Sequence, residues 1–348
     1  MTSRMRITYA PWGETLAELA EVSRRAEAAG AETVWVPELH RSATVTAAAL
    51  AQATSTVRVG TAIALAFTRS PMVTALEALD IDEISGGRFV LGLGSGVQRL
   101  NENWHNAQWG KPVGHLRETV RNIREFIATC TSGDEIALEG EYEPMRIRGY
   151  ERPFPVVRDR IPVYLAAMGP AMTRLAGQIG DGWISHELCS PRYLTERILP
   201  ELETGIGRTE GKTRADLDVV VSACCSVDPD PAQARRRVAG LVGFYASVRT
   251  YADFFEFHGL GEQQQAVIDA FRAGRGADYL ADSVTDEMVE ALTLVGDRDQ
   301  VAAQIAAYEG KADSVKLSPP THGIEAAETR KAQDEIIALI AELTGGKA

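Results

Sequence analysis

The sequence predicts an α/β fold, a (β/α)8 TIM barrel with insertions, and three observations carry that prediction. Apolar, β-compatible runs alternate with helical ones along the chain. In the first third they recur about every 25–30 residues, the pitch of a βα unit. The runs are also continuously apolar, as expected for strands buried on both faces. Eight such runs, each followed by a helical pattern, match the repeat number of this barrel.

The elements follow in order. "MRITYAP" (residues 5–11) is the first strand, and "ETLAELAEVSRRAEAAG" a helix that places Leu16, Leu19, Ala20 and Ala26 near one face and stops at Gly30. "TVWVPE" (33–38) and "VRVGTAIAL" (57–65) are the second and third strands, separated by the helix "ATVTAAALAQATS". The next helix has Pro71 in its first turn and Gly86-Gly87 at its end. "RFVLGLGS" is the fourth strand, and "HLRETVRNIREFIATC" a long helix after it. A surface insertion rich in proline and charge is expected near 133–160. The fifth to eighth strands are "IPVYLAA" (161–167), "DGWIS" (181–185), "DLDVVVSACCSV" (216–227) and "DSVKLS" (313–318). A wholly helical insertion is expected near 231–309. No linker composition marks a boundary, so one domain over 1–348 is the economical reading; the rival is a doubly wound sheet with a helical domain after Asp228.

Composition narrows the function. The 348 residues carry a formal net charge of -12, and no run of Lys or Arg forms a nucleic-acid footprint, which argues against nucleic acid as a partner. No apolar run approaches the roughly 18 residues of a membrane span, and the N-terminus lacks a signal-peptide core. A soluble cytoplasmic protein is expected. Cys130, Cys189, Cys224 and Cys225 form no C-x-x-C pair, so reduced structural thiols are expected, with no disulfide framework and no metal.

"GLGSGVQ" poses the sharpest question, because Gly92, Gly94 and Gly96 suggest a phosphate loop. A dinucleotide fingerprint needs G-x-G-x-x-G on a first strand. Here Val97 holds the third glycine's place, the motif follows the fourth strand, and the acidic candidate Glu118 falls inside a helix. A barrel rim that a flat ligand approaches closely, or simply a tight turn, fits better. The other strand ends bear polar groups too: Glu38 and His40 after the second, "AAMGP" before a helix start after the fifth, His186 after the sixth. Polar residues at C-terminal strand ends are how this fold builds active sites.

Together, "VGTAIALAFTRSP", "GGRFVLGLGSGVQRLNE", "IPVYLAAMGPAMTRLAGQIGDGWI" and "VKLSPP" resemble the luciferase-like oxidoreductase superfamily, in particular its coenzyme F420 (deazaflavin)-dependent branch. The resemblance spans nearly the whole chain. It implies a luciferase-like barrel, usually a homodimer. At "GTAI" it implies a non-prolyl cis peptide, Ala62–Ile63, supporting the deazaflavin ring, with Thr61 beside it. It places Ser95, Gly96 and Asn101 at the ring edge and Ala167, Met168 and Gly169 at the coenzyme phosphate. Several members carry a glutamate just after the last glycine, where this chain has Val97 and Gln98, so one proton donor is missing.

The expected function is F420-dependent hydride transfer to or from a small ketone, alcohol or enone. His40 is the first candidate acid/base, since an imidazole exchanges protons near neutrality. Glu38 is expected to tune it, and both are candidates for contact with the ring. Trp12 and His186 are candidate substrate residues. The alternatives are an FMN-dependent monooxygenase of the same superfamily and a cofactor-free ligand-binding barrel.

Overall fold

The computed structural model describes residues 5–347. The first four residues, part of the N-terminal stretch read for a signal peptide, lie outside them. Among the described residues the main sheet has ten strands, and eight of them correspond to the predicted units: β1 (Arg6–Tyr9), β2 (Thr33–Val36), β3 (Arg58–Thr61), β4 (Phe89–Gly94), β5 (Val163–Ala166), β6 (Gly182–Ile184), β7 (Asp218–Val227) and β8 (Ser314–Ser318). The strand order is cyclic, β7-β8-β1-β2-β3-β4-β5-β6 with β6 pairing β7, which is the (β/α)8 barrel topology predicted above. No helix among the described residues is long and apolar enough to cross a membrane.

Two compact units divide the chain. One comprises Thr33–Ile184 and Ile198–Val219. Its strands β2 and β4 are buried at every residue, which explains their unbroken apolar character. The helix Pro71–Ser85 begins at the Ser70 cap, whose hydroxyl accepts from Val73 N, and ends at Gly86 with φ +64°. The insertion near 133–160 holds an antiparallel hairpin, Ile136–Leu138 with Met145–Ile147. A helix at Gln98–His105, absent from the sequence reading, follows β4.

The other unit comprises the residues up to Glu32, Ser185–Arg197 and Val220 onward. Here β1 and β7 flank β8, with Thr8 and Ser222 each opposite Lys316. Tyr9 points to the other side, where its hydroxyl donates to Gln333 at 2.8 Å on the helix Ala326–Thr344. The segment 231–309 is mostly helical and forms its own apolar cluster around Phe255, Val238 and Val267. It is not wholly helical, which corrects the expectation: Leu294–Gly296 is a strand that extends the sheet beside Cys225–Val227. All four cysteines are buried and unbonded.

Candidate active site

The register between β3 and β4 builds the first part of the site. Gly60 pairs with Val90 and Ala64 with Leu93, so the offset falls from 30 residues to 29. The β3 side therefore carries one extra residue, a bulge. The Ala62–Ile63 peptide within it is cis, as the resemblance implied. Thr61 closes the gap in the ladder. Its Oγ1 accepts from Gly92 N at 2.9 Å and donates to Gly92 O at 2.7 Å.

The bulge explains the glycine triplet. A Cβ on Gly92 would stand 1.8 Å from Thr61 O, and one on Gly94 3.0 Å from the Ile63 side chain. On Gly96, which has φ +64°, it would stand 2.5 Å from Leu65. These glycines make room for protein, the β3 bulge, which supplies a reason the sequence reading lacked. Asn101 is fully buried and its Nδ2 donates to Ser95 O at 2.8 Å and Val97 O at 3.0 Å, so it fastens the loop that presents Ser95 and Gly96. Its Oδ1 has no partner among the described residues.

Glu38 anchors the same bulge from the end of β2. Its N–H donates to Ile63 O at 3.1 Å. Its carboxylate accepts from Leu65 N at 2.8 Å and forms a two-point ion pair with Arg69. Burial works against the ionised form, but the Arg69 bond and the Leu65 N–H outweigh it and hold the carboxyl below its usual range. So held, Glu38 is an ionised positioning group. His40, two residues on, is exposed and has no hydrogen-bond partner among the described residues.

After β5, Ala167 is buried and its carbonyl accepts from Trp183 Nε1 at 3.0 Å. Met168 is half-buried, and Gly169 is the exposed first cap of the helix Pro170–Ile179. No side chain caps that helix, and a Cβ on Gly169 would meet nothing within 4 Å. Helix N–H groups left without a side-chain acceptor favour an anion there. The unit thus brings Glu38, Thr61, Ala62, Ile63, Ser95, Gly96 and Asn101 around one bulge, with Ala166 Cβ 3.4 Å from the Cβ position of Gly94 leading to the uncapped helix.

The other unit holds the two predicted substrate residues, in different settings. Trp12 is tied to the C-terminal helix, its N–H donating to Gln333 Oε1 at 2.9 Å, and Arg330 lies over its ring at 5.3 Å. His186 sits among Tyr245 and Tyr251, with ring centroids 4.2 and 5.0 Å away. Sequence reasoning missed its companions. Lys316 of β8 is buried, with Nζ 3.7 Å from Glu187 Oε1. Burial pulls the lysine pKa down and Glu187 pulls it partly back. A charged residue in the middle of the apolar run "SVKLS" was the available signal.

An (β/α)8 barrel with a bulged third strand and an uncapped fifth helix start defines a class, and the comparisons supply the family. The luciferase-like monooxygenase model matches residues 2–313, and the chain belongs to that family. An uncharacterized protein of Mycobacterium tuberculosis is 31% identical over 309 residues, covering 86% of this chain and 89% of the relative. A 5,10-methylenetetrahydromethanopterin reductase of Archaeoglobus fulgidus is 31% identical over 295 residues, covering 83% and 85%. A second M. tuberculosis protein, provisionally named a coenzyme F420-dependent oxidoreductase, is 30% identical over 304 residues, covering 83% and 87%. Among solved structures, the F420-dependent tetrahydromethanopterin reductase of Methanopyrus kandleri aligns with a TM-score of 0.82 at 23% identity, over 99% of each chain. The FMN complex of a diketocamphane monooxygenase from Pseudomonas putida aligns with a TM-score of 0.67 at 16% identity, over 97% of this chain and 98% of that one.

Proposed function

We propose that the chain is a coenzyme F420-dependent oxidoreductase that exchanges a hydride with a small organic substrate, a ketone, alcohol or enone. The observation that carries this reading is the uncapped, open helix start at Gly169, in the same unit as the Glu38-anchored bulge. A flat, anionic coenzyme needs both a platform and an anion seat, and the residues present fit it. When bound, the deazaflavin supplies two-electron hydride chemistry. The relative that carries a coenzyme F420-dependent oxidoreductase name supports this coenzyme over FMN.

The chain's own residues do the rest. Thr61, Ala62 and Ile63 would support the ring, and Ser95 and Gly96, held by Asn101, would lie toward its edge. Ala167, Met168 and the Gly169 helix start would hold the phosphate through backbone N–H groups. Glu38 keeps the bulge in place, and His40 carries the proton from its exposed position. His186 binds substrate.

An FMN-dependent monooxygenase is the second reading, favoured by the FMN-bound neighbour of the same fold. Incubating the protein with reduced or oxidised F420 and a panel of ketones, enones and alcohols tests the proposal. Substrate-dependent change in the coenzyme's absorbance is expected without oxygen. Turnover only with FMN and oxygen would replace it.

A further inference from the structure

The helix Gln98–His105 is seated on the protein by one residue. Asn101 alone is buried, and its Nδ2 reaches back to Ser95 O at 2.8 Å and Val97 O at 3.0 Å. Its carbonyl accepts from Ala107 N at 3.0 Å, which ends the helix. At 3.6 residues per turn, Val97, Leu100 and Trp104 lie on the same side as Asn101. Yet Val97 is 63% exposed and Trp104 68%, and Leu100 is half-buried. Trp35 and Trp183 are buried and Trp12 and Trp109 half-buried, so Trp104 is the tryptophan that stands in water. An indole can bury about 150–250 Å². Here the side of the helix that faces the protein leaves most of that area uncovered.

The surroundings narrow what covers it. Val97, Leu100, Asn101 and Trp104 bring no charge to this face. Arg99 and Glu102 lie on the opposite side, where Glu102 accepts from Gln98 Nε2 at 2.9 Å, and His105 lies on the flank. A charged ligand finds no partner on the apolar side. The helix has eight residues, a length of about 12 Å at 1.5 Å each. Three side chains on it fall well short of the roughly 800 Å² per partner that a stable protein interface needs. The face begins at Val97, directly after Gly96, and Asn101 fastens it to Ser95. A small, uncharged, apolar body beside that loop meets each of these conditions.

We propose that Val97, Leu100 and Trp104 form the wall against which the apolar body of the substrate packs. Trp104 sets a preference for alcohols and ketones that carry an aromatic or alicyclic group over those that carry only methyl groups. This rests on the reading of Ser95 and Gly96 as the loop beside the coenzyme ring, and it narrows the substrate class. Trp104 is a specificity residue and exchanges no proton.

Acrylamide quenching of tryptophan fluorescence in the full chain tests this, with the difference between wild type and Trp104→Phe isolating the Trp104 emission. Cyclohexanol is expected to shield Trp104 saturably, with or without coenzyme, while 2-propanol at equal concentration leaves it open. In turnover with F420, Trp104→Ala is expected to raise KM for cyclohexanol at least about tenfold. Its KM for 2-propanol and its coenzyme affinity are expected to change less than about twofold. An exposed side chain can be removed without disturbing the fold. Shielding by neither alcohol, equal shielding by both, or an equal loss for both in Trp104→Ala would overturn the proposal. The quenching arm needs no coenzyme. A chain that shields Trp104 but does not bind F420 contradicts the coenzyme reading alone, and one that binds F420 without shielding contradicts this inference alone.

Discussion

Thr61 Oγ1 is hydrogen-bonded to both the N–H and the carbonyl of Gly92, at 2.9 and 2.7 Å. One side chain thereby replaces the strand pairing that the β3 bulge interrupts. Thr61→Val keeps the shape and removes both bonds, leaving buried Gly92 groups unpaired. A loss of about 2–4 kcal/mol in urea unfolding is expected, two groups at about 1–2 each.

Gly92→Ala is expected to do more damage than Thr61→Val. Its Cβ would lie 1.8 Å from Thr61 O, and the obstacle is backbone, not a flexible side chain. Either the bulge shifts or β4 does. Failure to accumulate soluble protein, or a melting temperature lowered by several degrees for a cost of a few kcal/mol, is the expected outcome.

Glu38 titrates lower in the folded chain than in the unfolded one. The stabilisation from its pairing with Arg69 is therefore present above the unfolded carboxyl value, about 4.3, and is lost as pH falls through the folded value. Glu38→Gln is expected to cost about 2–3 kcal/mol near neutrality, as for a broken buried pair whose arginine keeps a second partner, Glu77 at 3.4 Å. The gap between wild type and variant should be flat from about pH 6 to 8 and close below about pH 4. Denaturation at a series of pH values measures it.

Gly169→Asp separates stability from binding. Its φ of -75° and ψ of 151° suit any residue, and the new side chain would enter open space. Aspartate is a good helix cap, so the melting temperature should hold or rise slightly. The same carboxylate would oppose an anion at that helix start, and coenzyme affinity is expected to fall at least about tenfold.

His40→Ala is expected to lower turnover by about 10²–10⁴, the range for losing a general acid or base, with coenzyme affinity nearly unchanged. Steady-state kinetics alongside a binding titration reads both. Unchanged turnover would move the proton exchange to another group.

Much of the frame was legible in the sequence because buried parallel strands announce themselves as apolar runs. All eight strands lie where they were read. Leu294–Gly296 escaped because three residues are too few to show a period. The helix Gln98–His105 escaped because only Asn101 of its residues is buried, so it turns no apolar stripe to the core. Strand ends identified Glu38 and His186, but not what they touch. The pairing of Glu38 with Arg69 spans 31 positions and that of Glu187 with Lys316 spans 129, and only folding decides such contacts. The glycine triplet shows the same limit from the other side. Its purpose depends on Thr61, Ile63 and Leu65 arriving opposite, which no local pattern records.

An anaerobic equilibrium titration of the purified chain with F420 and, separately, with FMN tests the central claim most directly. Saturable F420 binding that weakens at least about tenfold in Gly169→Asp, with FMN bound more weakly than F420, is the predicted result. Tighter binding of FMN, or F420 affinity indifferent to Gly169→Asp, would contradict it.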